Sequence, residues 1–296
     1  MKTRKKCPLC RSNNFITIEK MGLSNAKLFS KMDSEYNCGS FLKKNNYIYE
    51  LRFCSDCGTR YQCSVLDDKD TSYFYSNNIN PSQSFMKQVS NYKKNFIIRE
   101  KTAKLISRLL PTNPKKEYKV LEVGAGWGFF ANIGSKLNFK FTTLEISKER
   151  RKFHRFLNLD TIKSFEEAND MNLKFDVIYS NQVIEHITDL RSFISKSSNL
   201  LKKGGFFIAE YPSYNNFVHY LFKRENYFKD MRTKALEHLQ LISDRGAMEI
   251  IKSIKNFQYI HFLPVRKLGD IIKNIIQYIT PSKHKGSGFL IAKKIK

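Results

Sequence analysis

The sequence predicts an α/β chain on a doubly wound parallel sheet, and three observations predict it. From Tyr118 onward, short apolar runs suited to strands alternate with stretches of helical spacing. The first of these strands, Val120-Leu121-Glu122-Val123, runs directly into Gly124-Ala125-Gly126-Trp127-Gly128. About 20 residues later a second strand ends on Thr143-Leu144-Glu145. A buried strand, a glycine turn, a helix and then an acid at the next strand end describe a nucleoside pocket. In it, the carboxylate accepts hydrogen bonds from ribose hydroxyls.

The elements follow in order. Residues 1–68 form a cysteine-bearing module with two short pairs, Cys7-Pro8-Leu9-Cys10 and Cys54-Ser55-Asp56-Cys57. Alternation over 47–53 predicts a strand leading into the second pair. Residues 69–115 make a linker and a helical segment. An acidic patch (Asp67, Asp68, Asp70) and an Asn-rich aromatic stretch from Tyr73 to Pro81 precede helical spacing over 84–110, with Phe85, Val89, Tyr92, Phe96, Ile97 and Ile106 on one face. Pro111 and Pro114 end that helix. Within 116–296, strands are expected at 119–123, 140–145, 160–162, 175–180, 205–211, 257–263 and 288–293. Helices are expected at 129–137, 148–157, 189–201 and 244–254. Residues 213–235 read as an insertion able to cover the site, and 266–280 as an amphipathic helix.

A chain of 296 residues allows one sizeable domain with an appendage, and 41% hydrophobic residues with 14% aromatics is ample for a packed core. No apolar run approaches the length of a membrane span. The basic N-terminus leads into Cys7-Pro8 rather than an apolar stretch, so the expected location is cytoplasmic. The formal charge of +25 suits nucleic acid, but lysines dominate and are scattered rather than gathered on one element. Such a field equally steers a small anionic substrate or favours peripheral association with an anionic membrane. Six cysteines in such a chain point to metal or chance rather than disulfides. Cys7, Cys10, Cys54 and Cys57 offer four thiolates for a tetrahedral zinc, although the interval from Cys10 to Cys54 is long for a zinc ribbon. Cys38 and Cys63 are left over as ordinary thiols.

The glycine spacing selects the nucleoside. A dinucleotide fingerprint places its third glycine at position 129, which holds Phe129, and Glu122 suits a cationic ligand better than a pyrophosphate. The E-x-G-x-G-x-G run, Glu122 to Gly128, resembles the first motif of class I S-adenosylmethionine-dependent methyltransferases. Phe175-Asp176-Val177-Ile178, followed by Glu185-His186, resembles that family's fourth strand and loop, and Glu237-His238-Leu239 resembles the segment before its sixth. The resemblance covers roughly 118–293 and implies a Rossmann-like, seven-stranded sheet. It also implies a cofactor site of Glu122, Gly124, Gly126, Gly128 and Glu145, with Asn181 and Gln182 on the methionine side and Ser164 and Phe165 beside the adenine.

The cysteine pairs resemble the N-terminal zinc modules of bacterial methyltransferases, among them sugar C-methyltransferases. This implies a structural zinc and a small-molecule acceptor, a sugar, nucleotide-sugar or glycan methylated on oxygen or carbon. The sugar enzymes usually carry a further C-terminal domain, whereas this sequence stops at its seventh expected strand. An RNA methyltransferase with a zinc module and a non-catalytic cofactor-binding protein are the alternatives. Methyl transfer to a hydroxyl or carbon acceptor gains from a base, and His186 and His238 are the candidates because histidine titrates near neutrality. Glu210, Tyr211 and Tyr214 lie where the fifth strand delivers further polar groups.

Overall fold

The computed structural model describes residues 1–22, 24–25, 29–30, 32, 37–67, 70–71, 73–74, 80–111, 113, 116–137, 139–212, 236–260 and 287–296. The expected insertion at 213–235 with Tyr214, the amphipathic stretch 266–280, most of the Asn-rich stretch, Asp68, Pro114 and positions 261–263 lie outside the described residues.

The chain opens on a β module. Strand β1 (Lys2–Thr3) pairs with β5 (Ser64–Val65), and β2 (Phe15–Met21), β3 (Tyr49–Cys54) and β4 (Arg60–Gln62) form an antiparallel sheet. Helix α1 (Gly39–Lys44) lies between β2 and β3. Alternation builds β3 as expected: Tyr49 and Leu51 point into a core with Leu42, Tyr47 and Phe74, while Glu50 and Arg52 pair at 2.6 Å on the other side. β2 was not legible in the sequence. Its pairing with β3 shifts register between Thr17 and Glu19, and most of its side chains are exposed, which erases the two-residue apolar period.

The expected helix over 84–110 is two helices, α2 (Pro81–Ser90) and α3 (Tyr92–Leu109), broken at Asn91. Asn80 caps α2 by accepting from the Gln83 amide, with Pro81 in the first turn where its missing N–H costs nothing. The break resets the helical phase. Val89 and Ile97, expected inward, are therefore 43% and 52% exposed, while Ala103 and Ile106 are buried.

The seven-stranded sheet comprises β6 (Tyr118–Val123), β7 (Phe139–Leu144), β8 (Asp160–Ile162), β9 (Phe175–Asn181), β10 (Leu201–Pro212), β12 (Phe257–Ile260) and β13 (Ser287–Lys294). The spatial order is β8-β7-β6-β9-β10-β13-β12. The first five are parallel, and β13 runs antiparallel to both neighbours. Helices α4 (Phe129–Gly134), α5 (Lys148–Phe156), α6 (Phe165–Asp170), α7 (Leu190–Leu200) and α8 (Asp244–Lys252) supply the connections. Side-chain caps from Ser147, Ser164, Asp189 and Ser243 start four of them. No helix among the described residues is long and apolar enough to cross a membrane.

Two features position the site. The strand order reverses direction between β6 and β9, which leaves a crevice at their carboxyl ends. A remote strand, β11 (Gln240–Leu241), joins the N-terminal sheet by pairing antiparallel with β4. Cys7, Leu9, Cys54, Cys57 and Tyr61 accordingly share one apolar core with Leu121, Ile178, Phe207 and Ile250 of the large sheet and its helices. The N-terminal module is packed into the large α/β unit.

Candidate active site

The glycine loop caps the carboxyl end of β6. Gly124 has φ +68°, and a Cβ there would stand 2.5 Å from Val183 Cγ2, so both backbone shape and space require glycine. Gly128 has φ +72° as the residue before α4, and its Cβ would meet Leu159 and His154 at 2.8 and 2.9 Å. A Cβ at Gly126 would meet nothing within 4 Å, so the loop is open on that side. Glu145, buried after β7, binds the loop directly. It accepts from the Gly126 amide (2.9 Å) and the Ser147 amide (2.9 Å), with Arg150 3.9 Å away. The Gly126 carbonyl is met from below by His154 Nε2 at 2.8 Å, while His154 Nδ1 faces the Thr143 hydroxyl at 3.0 Å. Burial lowers the His154 pKa, so the neutral ring donates from Nε2 and accepts at Nδ1.

Glu122 sits beneath the loop and accepts from the Ala131 amide at 3.0 Å in the first turn of α4. Burial pushes its pKa up to about 8, against the pull of that amide and of the Arg99 charge. Arg99 reaches in from α3. Its guanidinium lies 5.5 Å from the Phe129 ring centroid, and its buried Nη1 has no hydrogen-bond partner among the described residues. Phe129 in turn packs ring against ring with Phe85 and Phe153, and Trp127 joins both of those rings, with centroids 4.9 to 6.2 Å apart, while the Trp127 indole meets Ser84 Oγ at 3.4 Å. Helix α2 is thereby stapled over the loop. Beside Glu145, Ile146 is 64% exposed, an apolar shelf at the pocket edge.

Across the crevice, Asn181 ends β9 and Gln182 turns the chain with φ +54°, its amide donating to the Glu210 carbonyl at 2.8 Å. The Glu210 carboxylate accepts from the buried Tyr179 hydroxyl at 3.1 Å, and Tyr211 is buried. Next come the histidines. His186 and His238 lie ring to ring at 4.9 Å, and their donor atoms and those of Glu185 all lie within 4.8 Å of one another. His186 Nδ1 donates to the Glu237 carbonyl at 2.7 Å, which leaves Nε2 toward Glu185, 3.6 Å away. Ser164 caps α6, and the Phe165 ring packs edge-on to Phe193 in the core, 5.5 Å between centroids.

The cysteine pairs converge. Cys7 and Cys57 sulfurs are 3.6 Å apart, Cys10 and Cys54 3.5 Å, and all four lie within 4.8 Å of one another. Those distances exceed a disulfide bond and approach the roughly 3.8 Å between sulfurs around a tetrahedral zinc with Zn–S of about 2.3 Å. The hydrogen bond from Cys7 pulls the Cys57 thiol down to about 5, and the same bond, with burial, pushes Cys7 up. Burial likewise raises Cys10 to about 12. Four crowded thiols of this kind fit a cation. Cys38 and Cys63 stay apart, donating to the carbonyls of Met32 and Arg4.

Arg99, Trp127, Ile146 and His154 were not singled out from the sequence. Trp127, the sole tryptophan and set inside the glycine loop, was the available signal; Arg99 and His154 look like ordinary members of basic helices.

Comparison with known proteins agrees with this architecture. The methyltransferase domain family matches residues 95–260, more than half of the chain. The ubiquinone biosynthesis O-methyltransferase of Pelagibacter ubique (strain HTCC1062) is 36% identical over 103 residues, covering 32% of this chain and 43% of that protein. The malonyl-[acyl-carrier protein] O-methyltransferase of Calditerrivibrio nitroreducens (strain DSM 19672 / NBRC 101217 / Yu37-1) is 30% identical over 129 residues, covering 42% and 50%. The chain thus spans half or less of the length of these relatives. Among solved structures, the plantazolicin methyltransferase BpumL in complex with SAH superposes with a TM-score of 0.52 at 14% identity, covering 73% of this chain and 91% of BpumL, a likeness of fold. With the family match spanning loop, acid and crevice together, the chain belongs to the class I S-adenosylmethionine-dependent methyltransferases.

Proposed function

We propose that this chain methylates a small molecule, a sugar, nucleotide-sugar or glycan, from S-adenosylmethionine held at the β6–β9 crevice. The observation that carries the reading is the buried Glu145 carboxylate gripping the Gly126 amide at the edge of a loop left open on that side. Glu145 accepts the ribose hydroxyls, and Ile146 and the backbone around Ser164 and Phe165 flank the base. Gly124, Gly126 and Gly128 let the backbone approach the ligand. Glu122 balances its cationic portion from below, Arg99 meets its carboxylate, and Asn181 and Gln182 line the methionyl arm.

S-adenosylmethionine supplies a methyl group on an activated sulfonium, so alignment and exclusion of water do much of the work. The chain's own contribution on the acceptor side is the histidine pair. One ring, His238, takes the acceptor proton as the acceptor atom bonds to the methyl carbon and the carbon–sulfur bond breaks. The other, His186, is oriented by the Glu237 carbonyl and Glu185. Cys7, Cys10, Cys54 and Cys57 hold a zinc with no open coordination position, which stabilises the module and takes no part in the transfer. The charge of +25 draws anionic acceptors toward the crevice.

Calorimetry on zinc-loaded full chain tests the cofactor site. S-adenosylmethionine and S-adenosylhomocysteine should bind, and Glu145→Ala should weaken both by about 10- to 100-fold, the worth of one or two charge-assisted hydrogen bonds. No heat with either ligand would sink the proposal. Labelled methyl transfer into nucleotide-sugars or polysaccharide supports the acceptor class, and label appearing in RNA alone overturns it.

A further inference from the structure

The N-terminal module does more than adjoin the crevice, because one of its side chains grips the backbone of a candidate base. Gln62, in β4, is fully buried and uses both ends of its amide. Its Nε2 donates to the His238 carbonyl at 2.8 Å, and its Oε1 accepts from the Tyr47 hydroxyl at 3.1 Å. Its own backbone N–H donates to the Leu239 carbonyl at 2.9 Å. The peptides on both sides of Leu239 therefore hang from one module residue. A carbonyl can only accept, so the His238 contact fixes which way the amide points, and Tyr47, a phenol kept protonated by burial, completes the orientation.

On its other side the same segment is held by the turn after β9. The Leu239 amide donates to the Glu185 carbonyl at 2.8 Å, and Gln240 Nε2 bridges the carbonyls of Ile184 and Ile187 at 2.7 and 2.9 Å. Arg4, just before the first cysteine pair, donates to Gln240 Oε1 and to the Thr188 carbonyl, both at 2.9 Å. His238 is thus suspended between two clamps, one of them made by residues flanking the cysteine pairs.

We infer that Gln62 is a positioning residue for His238, so that the zinc module sets the geometry of the acceptor side. The inference adds to the methyltransferase reading by giving the module a task in it. The test uses zinc-loaded full chain with ¹⁵N-labelled histidine, following the ring nitrogens by long-range NMR, with His154 as internal control. Gln62→Met keeps the volume and removes both side-chain bonds. It should shift or broaden the His238 signals, leave those of His154 in place, and hold the affinity for S-adenosylmethionine within about twofold. Methyl transfer should fall about tenfold through kcat, as expected for a misaligned base. Unmoved His238 signals in the folded variant overturn the inference. If that variant does not fold, Tyr47→Phe decides, since it removes only the hydroxyl feeding Gln62: a displaced His238 signal supports the inference and an unchanged one ends it. If wild-type chain binds no S-adenosylmethionine while Gln62→Met still displaces the His238 signals, the methyltransferase reading is refuted and the positioning role stands.

Discussion

The two walls of the crevice are assembled in opposite ways. Apart from Arg99, which reaches in from α3, the cofactor wall we propose comes from one continuous run of chain between Val120 and Gln182, in which each strand hands its polar groups to the next turn. The acceptor wall we propose is stitched from three distant pieces: module strand β4, the turn at 184–188, and the segment 236–243. A local wall needs only the right residues in order. A stitched wall depends on every partner, and damage far from the crevice reaches it.

That contrast ranks the ways to break the molecule. Cys7→Ser or Cys57→Ser should have the largest effect, because metal binding in such modules is folding free energy and the cysteines share the large sheet's core. Bound zinc should be lost by elemental analysis, and the unfolding midpoint should fall by about 10 °C or more. The histidine pair should be disordered before the glycine loop is, which NMR on the same sample would show. If instead the variant keeps its midpoint, the module is an independent appendage and the comparison fails.

Gly124→Ala comes next and strikes the local wall. The added carbon meets Val183 at 2.5 Å in a backbone conformation with positive φ, costing about 1–3 kcal/mol. Cofactor affinity should drop by about tenfold or more with zinc content unchanged. Equal loss of zinc and cofactor would mean the two walls are not separable.

The smallest expected effect is a proton count. Glu122 is raised to about 8 by burial, so the folded chain holds a proton that the unfolded chain has lost between about pH 4.5 and 8. Its contribution to stability is therefore greatest at low pH and declines as pH rises through that window. His154, lowered by burial, works the other way below its ordinary value near 6.5. Between about pH 6.5 and 8 the lowered Cys57 thiol pulls the opposite way, so the difference between wild-type and Glu122→Gln thermal melts, rather than the slope of either, reports Glu122. A cation arriving above Glu122 should expel the proton. At neutral pH, calorimetric heats of S-adenosylmethionine binding should then vary with buffer ionisation enthalpy in wild type and not in Glu122→Gln.

The same contrast explains what was legible beforehand. Glu122, the three glycines and Glu145 could be read because their spacing along the chain is their spacing around the loop. The alternation over 47–53 yielded β3 for the same local reason. By contrast β11 is two residues long, and nothing in Gln240-Leu241 announces that it will pair with Arg60 and Tyr61. Arg99 looked like one lysine-rich helix position among many, and only the folded chain shows it beneath Phe129. The break at Asn91 is invisible in the sequence because asparagine is tolerated within helices as well as at their ends, so the apolar pattern keeps one phase through it.

The pairing of β4 with β11 also sets an order of events during synthesis. A ribosome that has released residues 1–68 has made a sheet with β4 still lacking its outer neighbour, which is about 170 residues from emerging. Until then an edge bearing a buried-type glutamine and tyrosine faces water, a template for pairing with another nascent chain. Maturation of the N-terminus must therefore wait for the C-terminal third, and fragments cut between them inherit that open edge.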